Sequence, residues 1–231
     1  MGAFFGRTPA AQAPIRLTCK GQLLYNISVI YVVDYGAGNI MSVMNSFRYL
    51  SVAARLTSEP DDILSASGVV VPGVGHFGAA MAALTGRRLD GAIREAAARG
   101  VPVLGICLGL QLFLDASEES PGTRGLGLIP GEVTRLRCGD RKLPHIGWTS
   151  LDCASGTLGG MENEYFYFVH SFGAHTDGNY SAGQASYGET FDAAIEKDNV
   201  FATQFHPEKS GRAGLEVLRR FAVKTDGEVR A

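Results

Sequence analysis

The 231 residues suit one large domain or two small ones, and 45% hydrophobic with 19% charged residues is the balance of an ordinary globular protein with a proper core. A formal net charge of −2 argues against a nucleic-acid partner or an anionic membrane surface, and no apolar run reaches the roughly 18 residues needed to span a bilayer. The four cysteines, Cys19, Cys107, Cys138 and Cys153, include no C-x-x-C pair, which speaks against a zinc site and a disulfide scaffold, so reduced thiols in a cytoplasm are expected.

Residues 1–27 hold Arg7, Arg16 and Lys20 and no acid; the first acidic residue is Asp34. The segment lacks the apolar core of a secretory signal. It reads as a disordered or dispensable extension before a single domain over 28–223, with a short tail over 224–231. From Ser28, apolar runs alternate with helical patterns. Ser28–Val33 is a buried strand, and Asn39–Leu50 a helix with Val43, Phe47 and Leu50 on one face. Gly68–Val71 is a second strand, ending in Pro72-Gly73. Helical stretches follow near 77–84 and 88–99. Val101–Ile106 is a third strand, passing at Cys107 into the helical pattern Leu108–Asp115. Such alternation predicts an α/β fold, an open and mostly parallel sheet with helices on both faces. Beyond it lie short strands with glycine-rich turns, at Glu132–Leu136, Ile146–Leu151, Tyr165–His170, Tyr180–Tyr187 and Ala193–Glu196. They predict a mixed or antiparallel layer built onto the first sheet. Phe201–Phe205 is one more strand, and Ser210 is placed to cap a last helix carrying Leu215, Leu218 and Phe221.

Three short motifs fall at strand ends. Gly105-Ile106-Cys107-Leu108-Gly109 has the form G-x-C-x-G between a strand and a helix, the cysteine counterpart of the nucleophile elbow. Its flanking glycines suit a tight turn and close approach of a substrate, and a helix N-terminus favours a thiolate. The same pentapeptide also suits a buried structural cysteine. A nucleophile needs a base, and the base an orienter. His206-Pro207-Glu208 follows the strand Phe201–Phe205, at the sheet edge where Cys107 is expected, although a surface loop is the plainer reading of the tripeptide alone. Pro72-Gly73-Val74-Gly75 is either an ordinary turn or an oxyanion strand. In the second case the N–H groups of Val74 and of Leu108 would be the donors.

Together these segments resemble the class I (triad-type) glutamine amidotransferases, through Pro72–Gly75, Gly105–Gln111 and Gln204–Ser210. Within that family Asp34–Asn39, Pro144–Trp148 and Tyr167–Ser171 are similar to the glutaminase subunits of imidazole glycerol phosphate synthases. The resemblance covers about residues 28–223. It implies a flavodoxin-like sheet and no cofactor or metal. It also implies hydrolysis of L-glutamine to glutamate and ammonia, with Cys107 as nucleophile, His206 as acid and base, and Glu208 as orienter. Gly75, Gln111, Ser171 and Phe172 sit where the family binds glutamine. Asn39, Trp148, Tyr167 and Lys209 sit where it meets a separate (β/α)8-barrel cyclase subunit, to which ammonia passes for imidazole formation in histidine biosynthesis. Three positions depart from the family pattern: His76, read as a surface side chain at a helix start, Thr149 in place of a common asparagine, and Phe172 in place of a common tyrosine. The alternatives are the glutaminase of another synthase, such as that of pyridoxal phosphate, a cysteine peptidase, and a non-catalytic scaffold.

Overall fold

The computed structural model describes residues 15–17, 23–25 and 28–225. Ile15–Leu17 (β1) pairs antiparallel with Leu23–Tyr25 (β2). The rest of the extension, and most of the tail, lie outside the described residues, and with them the expectation of disorder there.

The first half of the domain has the alternating architecture. In chain order it contains Ile30–Val33 (β3), Ile40–Tyr49 (α1), Ala54–Thr57 (β4), Pro60–Leu64 (α2), Gly68–Gly73 (β5), Phe77–Gly86 (α3), Leu89–Ala98 (α4), Val103–Cys107 (β6) and Leu108–Phe113 (α5). The second half contains Ala116–Ser117 (β7), Glu132–Arg135 (β8), His145–Ser150 (β9), Cys153–Ala154 (β10), Tyr165–His170 (β11), Phe172–His175 (β12), Ser181–Tyr187 (β13), Glu189–Lys197 (β14), Val200–Thr203 (β15) and Gly211–Lys224 (α6).

One sheet runs in the order β4-β3-β5-β6-β15-β14-β12-β8-β7, with β13 and β10 branching from β14. From β4 to β15 the strands are parallel; β14, β12 and β8 follow antiparallel. The expected antiparallel strands therefore prolong the parallel sheet edge-on, and the hairpin β9–β11 pairs with itself alone among the described residues. β4 and α2 were not legible in the pattern: the strand is short, and Arg55 and Leu56 are exposed on the sheet's edge.

Strand alternation sends successive side chains to opposite faces, and each face has its own core. Val33, Val69, Val71 and Val103 pack with Phe77, Leu84 and Ile93. Val32, Val70, Leu104 and Ile106 pack with Val43, Phe47, Leu218 and Phe221. α6 buries Val217, Leu218 and Phe221, while Leu215 is half-buried. The helix reaches Lys224, and Thr225 is buried against Gly68, so the domain continues past residue 223.

Candidate active site

The carboxyl ends of β5 and β6 lie side by side, with Gly73 in register with Cys107. Cys107 ends β6 and begins α5 with φ 55° and ψ −104°, a conformation that non-glycine residues adopt at a cost of about 1–3 kcal/mol. The positive φ thus belongs to the cysteine itself. Gly105 and Gly109, expected to serve the turn and the substrate, serve packing instead. A Cβ on Gly109 would lie 1.9 Å from the carbonyl oxygen of Val71, and one on Gly105 would lie 2.8 Å from the Gly109 carbonyl carbon. Helix α5 rides directly on strand backbone, which drives the chain into its sharp turn at the sulfur.

β15 is parallel to β6 and brings Thr203 level with Ile106, so His206 emerges beside Cys107. Pro207 starts a 3-10 turn, Pro207–Lys209, which folds Glu208 back. His206 Nδ1 lies 2.9 Å from Glu208 Oε1, with the two side chains 2% and 1% exposed. Burial alone lowers the imidazole pKa. Interactions with Cys107 and Glu208 outweigh it and raise the value to about 9. Among the described residues Nε2 makes no aligned hydrogen bond, and neither does Glu208 Oε2. Ser210 does not cap α6 with its side chain. Its Oγ donates to the His206 carbonyl at 2.6 Å and accepts from the Tyr167 N–H at 3.0 Å, which ties the turn to β11.

Cys107 opens into a cavity of about 310 Å³ lined by Val74, Gly75, Leu108, Gln111, Ser171 and Phe172, together with Glu119, Pro144, Val169 and His170. Gly75 has φ +112°, a conformation open to glycine, and Val74 is 41% exposed. Gly73 has no room for a side chain: a Cβ there would meet the Tyr35 hydroxyl at 2.2 Å. The cysteine, the His206–Glu208 pair and every expected glutamine-contact residue are thus gathered at one strand edge. Among the expected interface residues, Lys209 Nζ lies 5.7 Å from the Tyr167 ring centre, and Trp148 stands edge-on to Tyr167 at 6.1 Å. Asn39 stands at the N-terminus of α1, where it accepts from Ser42 Oγ. His76 is exposed at the start of α3, its Nδ1 3.5 Å from Ser120 Oγ. The described residues contain no cluster of three or more metal-ligating side chains.

Sequence reasoning passed over Gln204, which is fully buried. Its Nε2 donates to Cys107 Sγ at 3.6 Å, and its Oε1 accepts from Gln111 Nε2 at 3.1 Å. The available signal was a polar amide two residues before His206 at the end of an apolar strand, on the same face of the extended chain.

Comparison with known proteins places the chain in a family. The family model for class-I glutamine amidotransferases matches residues 31–225. A crystal structure of a glutamine amidotransferase superposes with TM-score 0.69 at 16% identity over 85% of this chain and 98% of that one. The glutaminase domain of a Trypanosoma brucei protein, solved with acivicin, gives 0.59 at 17% identity over 84% and 94%. The chain belongs to the class-I glutamine amidotransferase family. Imidazole glycerol phosphate synthase subunit HisH of Methanothermobacter thermautotrophicus is 51% identical over 84% of this chain and 97% of its own length. The HisH subunit of Chlorobaculum tepidum is 45% identical over 84% and 99%. An Arabidopsis thaliana chloroplast protein, imidazole glycerol phosphate synthase hisHF, is 44% identical over 84% of this chain and 34% of its own length. The branch of the family to which such identity and coverage assign the chain is that of the HisH subunits.

Proposed function

We propose that Cys107, His206 and Glu208 are the groups with which this glutamine amidotransferase hydrolyses glutamine. The observation that carries the assignment is the buried His206–Glu208 pair, set beside a strained cysteine at the mouth of the cavity. The thiolate of Cys107 adds to the carboxamide carbon of L-glutamine. The N–H groups of Val74 and Leu108 receive the oxyanion, each such donor being worth about 2.7–4 kcal/mol in characterised enzymes. His206 gives its proton to the departing nitrogen, so ammonia leaves and a thioester remains on Cys107. The ring then takes a proton from water, hydroxide attacks the thioester, and glutamate and the thiolate are regenerated. Glu208 holds the Nδ1–H tautomer throughout. Gly75, Gln111, Ser171 and Phe172 bind the amino acid.

The ammonia passes to a separate (β/α)8-barrel cyclase subunit, which uses it to close an imidazole ring. Trp148, Tyr167, Lys209 and Asn39 are proposed to meet that partner. Support comes from Trp148, 54% exposed on β9, and from Tyr167, whose carbonyl accepts the N–H of His206 at 2.9 Å. A partner seated on β11 therefore presses on a strand bonded to the catalytic turn. The test is Cys107→Ser in the complex with the barrel subunit. Synthesis from glutamine disappears while synthesis from ammonium salt continues; a variant that still used glutamine at near the wild-type rate would remove Cys107 from the role.

A further inference from the structure

We propose that Thr149, His145 and His170 form a positioning relay that fixes the side-chain amide of Gln111 with its oxygen toward the glutamine cavity. The inference rests on the reading of that cavity as the glutamine site. In the antiparallel hairpin β9–β11, His145 stands directly opposite His170, and Thr149 is four residues along the same face of β9. His145 is 2% and His170 6% exposed. His145 Nε2 lies 2.9 Å from Thr149 Oγ1, and His145 Nδ1 lies 3.2 Å from His170 Nε2. His170 Nδ1 lies 2.8 Å from the carbonyl oxygen of Phe172. That same oxygen is 3.0 Å from Gln111 Nε2.

A carbonyl oxygen can only accept, and this sets the direction of every bond in the network. His170 must donate from Nδ1. Among the described residues neither ring forms an ion pair with a carboxylate, and burial lowers the His145 pKa to about 4 and the His170 pKa to about 3. Both rings are neutral. Neutral His170 then accepts at Nε2, His145 donates from Nδ1 and accepts at Nε2, and the Thr149 hydroxyl donates. On the other side of the carbonyl, the atom of Gln111 at 3.0 Å must be its nitrogen. Its second hydrogen goes to Gln204 Oε1, which turns Gln204 Nε2 toward Cys107 Sγ. Both amide hydrogens of Gln111 are engaged inside the protein. Its oxygen is the polar atom left for a ligand, and Gln111 lines the cavity. The arrangement selects a ligand that presents N–H donors there, as the ammonium of a free amino acid does, and it withdraws the Phe172 carbonyl from substrate binding because both lone pairs are already used.

Thr149→Val keeps the shape and removes one donor. His145 Nε2 then loses its partner while Nδ1 still donates to His170 Nε2, so the ring pair is held less firmly and the Phe172 carbonyl loosens. The experiment combines histidine ¹⁵N spectra of the full chain with glutaminase kinetics of its complex with the barrel subunit, for wild type, Thr149→Val and Thr149→Ser. Wild type shows both rings as Nδ1–H tautomers. Thr149→Val keeps both tautomers but moves the His145 Nε2 resonance to that of a nitrogen without a hydrogen bond, and its KM for glutamine rises roughly three- to tenfold, the range of one neutral hydrogen bond, with kcat within about twofold. Thr149→Ser restores both. An Nε2–H form of either ring in wild type overturns the relay, as does a wild-type KM in Thr149→Val or a loss of kcat that Thr149→Ser fails to relieve. A wild-type complex inert toward glutamine would sink the glutaminase reading instead, and the tautomer spectra would still decide the relay.

Discussion

At the level of single residues, His206 links stability to pH. Its folded pKa of about 9 lies above the ordinary 6.5, so the native state binds the proton more tightly than the unfolded chain. That contribution is complete below about pH 6.5 and is lost as pH rises through about 9. Urea midpoints of wild type and His206→Gln, the wild type being the more stable, should therefore stand furthest apart near pH 6 and converge by about pH 10. A gap constant across that range would show that the ring's proton contributes nothing to folding. Cys107, His206 and Glu208 could be put forward from the sequence because each lies in a short motif at a strand end, and the structure brings them to one place. Gln204 and the His145–His170 pair were not. Their roles come from cross-strand neighbours and from Phe172, and no local spacing encodes which carbonyl a side chain will find.

Secondary-structure elements were readable where hydrophobic period was strong. The three central strands and α1, α3 and α4 fall within a few residues of their expected limits. Failures have identifiable physics: β4 is an exposed edge, and β12 is four residues long and interrupted by Gly173, which leaves too little pattern. Ser210 is the instructive error. Its position before α6 fits a cap, but its hydroxyl serves the turn behind it, bridging β11 and His206. Gly214 explains why the two are so close, since a Cβ there would meet the Pro207 carbonyl oxygen at 2.0 Å. Ser210→Ala would take the hydroxyl partner from the Tyr167 N–H and leave the His206 carbonyl with the Lys209 N–H alone, at a cost of roughly 1–3 kcal/mol. For a chain of this size that corresponds to a melting temperature lower by about 2–4 °C per kcal/mol. Glutamine turnover should fall with it as His206 loses its anchor. Calorimetry and a glutaminase assay check the two parts, and an unchanged melting temperature would mean that water replaces the hydroxyl.

For the molecule as a whole, the division into an extension and one domain remains a proposal: residues 1–27 are dispensable. A chain beginning at Ser28 should keep its melting temperature within about 2 °C, a change below ~1 kcal/mol, and its activity with the proposed barrel partner; a larger drop would show that the segment packs on the domain. The parallel half of the architecture could be read from alternating patterns, but the strand order could not, because β15 enters between β6 and β14 from far along the chain. That central seat has a consequence for the birth of the protein. Cys107 precedes His206 by 99 residues. At a synthesis rate of about 5–20 residues per second, the thiol waits roughly 5–20 s for its base. Until β15 slides into the middle, the two halves of the sheet have no shared strand, and long-range pairing of this kind forms late. On the proposed mechanism, a nascent or truncated chain therefore carries the sulfur without the means to spend glutamine, and closing the sheet is also what switches the chemistry on.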